Sequence, residues 1–246
     1  MSKFRALKAD FQNRLSSPDW KTVLPQLELE GAVETLAPLL ALLPRGGNLR
    51  WRAAATLGVN IAALAARDLE SARTFLRRLM WHMNEESGNL GWGIPESMAE
   101  ALARSPELAD EFSHILFSYI NDTGRADNFV EHIPLLRSCY HAAGILAATR
   151  PDLALPHLEN FVRGLESSDP QTQGQAALAL LRLSTALRSR LPGKLAPSVK
   201  KTLAKAARKL KALSGNAEAC EFFDNLEVKT ESIASIAMKT LKVLPK

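Results

Sequence analysis

Apolar positions in this chain fall in helix-length stretches, separated by short connections rich in proline and glycine. Helices are predicted at roughly 3–15, 31–43, 48–66, 68–83, 95–104, 106–121, 132–149, 151–166, 171–189, 196–213 and 231–243, about ten in all and paired by short turns. The breakers stand mostly between them: Pro18, Pro44, Gly46, Gly47, Gly91 to Pro95, Pro106, Pro151, Pro170, Pro192, Gly193 and Gly215. Inside a helix each would cost about 1 kcal/mol (Gly) to 3 kcal/mol (Pro), so they mark helix ends. Pro38, Pro134 and Pro156 fall within predicted helices and fit only a first turn or a kink. Between Val199 and Leu213 apolar residues recur at 199, 203, 206, 210 and 213, one narrow helical stripe.

Every second helix carries a related small-residue core. The four are Arg52-Ala-Ala-Ala-Thr-Leu-Gly58, Glu96-Ser-Met-Ala-Glu-Ala-Leu102, Tyr140-His-Ala-Ala-Gly-Ile-Leu146 and Gly174-Gln-Ala-Ala-Leu-Ala-Leu180. With Ala54, Met98, Ala142 and Ala176 taken as equivalent, the spacings are 44, 44 and 34 residues, at or just below the span of one HEAT or armadillo unit. Adjacent small residues let neighbouring helices approach closely, and the cores alternate with Leu-rich partner helices. Arg50 to Gly58 resembles the Arg-x-x-Ala-Ala-x-x-Leu-Gly signature of phycobilisome-lyase-type HEAT-like repeats. The stretch Asn84-Glu-Glu-Ser-Gly-Asn-Leu-Gly-Trp-Gly-Ile-Pro-Glu96 is similar to a loop in a group of HEAT-like proteins of anaerobic bacteria that has no assigned activity. The resemblance covers roughly residues 31–190 and implies an all-α, right-handed α-α superhelix. A single repeat domain over 1–246 is expected, with core repeats at 31–190, an N-terminal cap at 1–30, and a basic helix and C-terminal cap at 191–246.

Composition agrees with helices: Ala and Leu dominate, β-branched residues are sparse and only two tyrosines occur. Cys139 and Cys220 lie far apart and form no metal- or redox-type pair, which suits a reducing compartment. The N-terminal residues are charged where a signal peptide needs its apolar core, and the longest apolar run, Leu36 to Leu43, is too short to span a bilayer. A cytoplasmic protein without a transmembrane segment is expected. The net charge of +5 conceals a segregation: 17 basic against 21 acidic residues over 1–169, ten against none over 170–217, and four against five thereafter.

Four constellations are candidates for function. The loop carrying Asn84, Glu85, Glu86, Ser87 and Trp92, followed by Glu96, gathers carboxylates, an amide, a hydroxyl and an indole among glycines. It suits specific recognition. In its structural alternative, Glu85 and Ser87 satisfy helix ends while Trp81 and Trp92 plug the gap between repeats. A ladder carrying Arg52, Glu100, Arg104 and Tyr140 is expected on the concave face, where Arg52 and Glu96 would be neighbours. Lys200, Lys201, Lys205, Arg208 and Lys209 form a basic patch suited to an acidic protein or to nucleic-acid phosphates. As a catalytic or metal centre, by contrast, the chain offers little. No histidine begins a His-Glu dipeptide, His82 with Glu85 or Glu86 is one isolated spacing, and neither a Gly-x-Ser-x-Gly elbow nor a phosphate-binding loop is present. The expectation is therefore a non-enzymatic interaction scaffold for a protein partner, with no cofactor and no metal. A HEAT-like DNA glycosylase of the alkylpurine type, using Trp51, Trp81 and Trp92 with Glu85 or Glu96, is the alternative, and a bilin-lyase-like chaperone a third.

Overall fold

The computed structural model describes residues 2–22, 24, 33–84, 91–124, 128–190 and 195–245. The α-helices among them are α1 (Lys3–Ser16), α2 (Val33–Leu40), α3 (Gly47–Ala65), α4 (Leu69–Met83), α5 (Ile94–Leu102), α6 (Pro106–Ser118), α7 (Ile133–Thr149), α8 (Pro151–Ala154), α9 (Leu158–Gly164), α10 (Pro170–Arg190), α11 (Pro197–Leu213) and α12 (Ile233–Val243). Two short strands, β1 (Ala219–Asp224) and β2 (Glu227–Ser232), pair between α11 and α12. The chain divides into two compact units, Met1–Phe112 with Phe223–Val228, and Ser113–Phe222 with Lys229–Lys246.

In the first unit α3 packs between α2, α4 and α5; in the second α10 packs between α7, α9 and α12. The four small-residue cores sit on α3, α5, α7 and α10, and Ala54, Met98, Ala142 and Ala176 are all buried. Glycines set the closeness of these packings. A Cβ on Gly58 of α3 would lie 2.7 Å from the Ser97 carbonyl oxygen of α5, and one on Gly144 of α7 would lie 2.9 Å from Ala179 Cα of α10. Only bare backbone fits at such seams.

Helix starts are held by the residue types that suit them. Asp68 accepts from the Ser71 amide (3.0 Å) before α4, Ser105 from the Leu108 amide (3.4 Å) before α6, and Asp169 from the Thr172 amide (2.8 Å) before α10. Arg137 of α7 grips the same Asp169 through Nε (2.8 Å) and Nη2 (2.6 Å), tying one core helix to the N-terminus of the next.

The structure departs from the predicted map in three places. The helix expected over 31–43 runs Val33–Leu40, followed by a 3₁₀ turn at Leu43–Arg45 that carries Pro44; residues 31 and 32 lie outside the described residues. The helix expected over 151–166 is broken into α8, a 3₁₀ turn at Leu155–His157 and α9, because Pro156 lacks the amide an unbroken helix needs there. The β-hairpin was not expected. Its turn residues Asn225 and Leu226 take φ of 51° and 62°, a conformation that costs a leucine about 1–2 kcal/mol.

Candidate functional site

The loop between α4 and α5 is described only at its two ends, and Glu85, Glu86 and Ser87 lie outside the described residues. Asn84 closes α4, its amide donating to the Trp81 carbonyl (3.0 Å). At the other end Gly91 returns against α4: a Cβ there would lie 2.7 Å from Met83 Sδ. The turn into α5 is built on Gly93, at φ 73°, where a side chain would meet Leu43 and Arg50. Ser97 Oγ and the Ser97 amide both donate to the Gly93 carbonyl, at 2.7 and 3.0 Å.

Trp92 stands half-buried at this turn with the Arg50 guanidinium 5.8 Å from its ring, and the same guanidinium lies 5.3 Å from Trp51. Trp51 is buried and stacks on Phe223, centroids 5.9 Å apart and planes 3° from parallel. Glu96 is only 2% exposed, in the first turn of α5 where the helix dipole favours a carboxylate. Trp81 reverses the expectation that it plugs a seam, since 74% of it is exposed. The apolar stripe of α4 runs through Ala72, Phe75, Leu76 and Leu79, and Trp81 projects from the other side, beside Arg77 and Arg78 one turn back.

The expected ladder residues occupy different settings. Arg52 Nη1 donates to the Leu15 (2.7 Å) and Ser17 (3.1 Å) carbonyls, and its guanidinium lies 5.2 Å from the Trp20 ring. Desolvation lowers the Arg52 pKa below the usual arginine range. Glu100 and Arg104 pair with each other one turn apart on α5. Tyr140 is buried, its hydroxyl donating to the Asn160 carbonyl (3.1 Å) and its ring against Gly164; burial pushes its phenol well above the ordinary range.

The basic patch lies on α11, and two of its five members are not free cations. Lys205 pairs with Glu159 at 2.7 Å and reaches Glu166 at 3.9 Å, and Lys209 pairs with Glu166 at 3.1 Å. The hydrogen bond to Glu159 raises the Lys205 pKa above the usual lysine range. Lys200, Lys201 and Arg208 remain exposed, with Lys211 beside them, on the face opposite buried Leu203, Ala206 and Leu210.

The reactive side chains that are described serve packing. Cys139 and Cys220 are buried and form no disulfide among the described residues. Burial pushes the Cys220 thiol up to about 12, and it fills the space left by Gly174, where a Cβ would lie 2.8 Å from Cys220 Sγ. His141 Nδ1 is 3.1 Å from Gln175 Oε1, while Gln175 Nε2 donates to the Glu221 carbonyl at 2.7 Å. Among the described residues no three His, Cys, Asp or Glu side chains converge as a metal site, and no helix is long and apolar enough to cross a membrane. A cleft of about 360 Å³ lies beside the hairpin turn, lined in part by Trp20, Arg52 and Leu226.

No family model matches the chain. A protein of Archaeoglobus fulgidus described as uncharacterized is 35% identical over 74 residues, covering 30% of this chain and 37% of that relative. Among solved structures, an engineered protein is similar with a TM-score of 0.51 at 14% identity, covering 99% of both chains. A designed armadillo repeat protein in complex with the peptide (KR)4 gives the same score and identity over 99% of this chain and 100% of that one. The fold is therefore an all-α helical-repeat solenoid of the kind to which armadillo repeats belong.

Proposed function

We propose that the chain is a non-enzymatic interaction scaffold that binds a protein partner where α4 ends and α5 begins, with Trp81 as the anchor. The observation that carries this reading is the 74% exposure of the Trp81 indole. A tryptophan held in water on a rigid helix is the side chain from which binding free energy is most readily drawn, and arginine is its commonest companion at such centres. Arg78 supplies that companion here and favours an acidic rim on the partner, while Arg77 pairs with Glu70 at 3.1 Å. The loop from Asn84 to Trp92, including Glu85, Glu86 and Ser87, would supply the polar contacts that fix orientation. A peptide-bound designed armadillo repeat protein of similar fold supports the idea that such a solenoid can present a peptide-reading surface, although fold by itself assigns no partner. The closer kinship with HEAT-like proteins carrying the Asn84–Glu96 loop belongs to the same proposal.

The test compares the native chain with Trp81→Ala. The substitution should leave the melting temperature within about 2 °C, as an exposed change of under about 0.5 kcal/mol does. A partner captured by the native chain from lysate, then purified, should bind the variant at least about thirtyfold more weakly, the loss typical of a central aromatic anchor. Equal affinity of the two chains for that purified partner would reject the site.

A second reading rests on its own observation, the exposed cations Lys200, Lys201 and Arg208, which make no ion pair among the described residues. They suit the phosphates of a nucleic acid, held without regard to sequence.

A further inference from the structure

We infer that the cleft beside the hairpin turn is a binding site for a carboxylate carried on an apolar body about the size of an aromatic ring. The cleft measures about 360 Å³, within the range of small-ligand sites, and all the residues lining it belong to the first unit. Its apolar lining comes from Pro18, Leu226 and Val228, with Trp20 and Phe223 bordering it, only 1% and 7% exposed.

Its charge comes from Arg52. Lys21 and Glu227, also in the lining, neutralise each other at 2.5 Å. Arg52 makes no ion pair among the described residues: its partners there are the Leu15 and Ser17 carbonyls, both taken by Nη1, and the Trp20 ring. Two carbonyls orient a guanidinium without cancelling its charge, so Nε and Nη2 remain as donors. A carboxylate matches that planar pair of donors, and partial burial strengthens the match.

The turn supplies an independent observation. Leu226 holds φ 62° at a position suited to glycine, and it lies in the cleft wall. A side chain kept there against the backbone preference forms part of the apolar surface that a ligand body would cover.

Two sources share this chemistry, a free aryl or alkyl carboxylic acid and the C-terminal carboxylate of a peptide ending in an apolar residue. The probes are 3-phenylpropionate, its amide, and a short peptide ending in phenylalanine with a free or an amidated C-terminus. Each is titrated by calorimetry and by tryptophan fluorescence, since Trp20 lines the cleft. Saturable binding is expected for the acids, at least about tenfold tighter than for the matching amides, as a charge-assisted pair requires. The free-ended peptide binding more tightly than phenylpropionate assigns the site to chain termini; the reverse order assigns it to small acids. Arg52→Gln should remove the difference between acid and amide. Because that variant also frees the Leu15 and Ser17 carbonyls and can fail to fold, the ratio of acid to amide on the native chain decides independently. No saturable signal from either acid, or equal affinity for acid and amide, overturns the proposal.

Discussion

Replacing a helix-interior glycine by alanine ordinarily stabilises a protein by about 1 kcal/mol, because alanine is the better helix former. At Gly58 and Gly144 the sign should reverse. The new methyl at Gly58 would sit 2.7 Å from the Ser97 carbonyl oxygen and 3.0 Å from the Ala101 nitrogen, and it would collide with Glu100 Cβ; at Gly144 it would sit 2.9 Å from Ala179 Cα. Most of these neighbours are backbone atoms of helices already packed on both sides, so no flexible side chain can swing away. Ordinary contact begins near 3.4 Å, which requires the helices to part by at least about 0.7 Å at Gly58 and about 0.5 Å at Gly144. A gap of that size forfeits roughly a quarter to a half of each dispersion contact along the seam, and overpacked cores lose about 1–3 kcal/mol. After the helix-propensity gain of about 1 kcal/mol is subtracted, each variant should be up to about 2 kcal/mol less stable than the native chain. That corresponds to a melting temperature up to about 8 °C lower for a protein of this size. Thermal and urea unfolding followed by circular dichroism measure it. Ala204, exposed on α11, supplies the contrast: there Ala204→Gly, which removes a methyl, is the destabilising direction. Gly58→Ala or Gly144→Ala raising the melting temperature would refute the argument that these glycines set the helix spacing.

Two further predictions concern charge. Burial raises the Asp169 pKa, but the Arg137 and Thr172 hydrogen bonds outweigh it and hold the carboxyl below its ordinary 3.8. Its contribution is therefore complete above the ordinary value and lost as pH falls through the lower folded one; Asp169→Asn should melt below the native chain at pH 7, with the gap closing as pH falls below 3.8, and a gap that persists unchanged into acid rules this out. On α11, Lys200→Gln with Lys201→Gln and Arg208→Gln should leave stability within about 0.5 kcal/mol while removing most affinity for random duplex DNA at about 50 mM salt; undetectable DNA binding by the native chain at that salt would end the nucleic-acid reading.

Much of the fold was legible because its signals are local. Alanine cores at regular spacing placed α3, α5, α7 and α10, and proline and glycine placed most of the ends to within two or three residues. What failed to show was what depends on partners elsewhere in the chain. In β1 the buried positions alternate at first, Cys220 and Phe222 inside with Ala219 and Glu221 outside, but the run is short. Its turn is Asn-Leu, where a two-residue hairpin announces itself by Asn-Gly. Trp81 was misplaced for a related reason. Its neighbours Leu76 and Met80 suggest a buried stripe, yet helical geometry sends position 81 to the side of Arg77 and Arg78, and an apolar residue type does not say which side it takes.

The candidate sites divide along the same line. Ten consecutive charges of one sign read as an open basic surface in one dimension, but Glu159 and Glu166, from before that segment, face Lys205 and Lys209 across α9 and α11. A run without carboxylates is not a surface without carboxylates, and the uncompensated part shrinks to one stripe of the helix. Arg52 shows the converse. In sequence it is an ordinary member of a repeat core on a net-acidic stretch, and nothing marks it for a ligand. It makes no ion pair among the described residues, because Lys21 takes Glu227 and because the chain turns two carbonyls, not a carboxylate, towards it. Neither condition is written near residue 52, so a site of this kind becomes visible only when the hairpin turn, more than 170 residues further on, is seen to close the cleft around it.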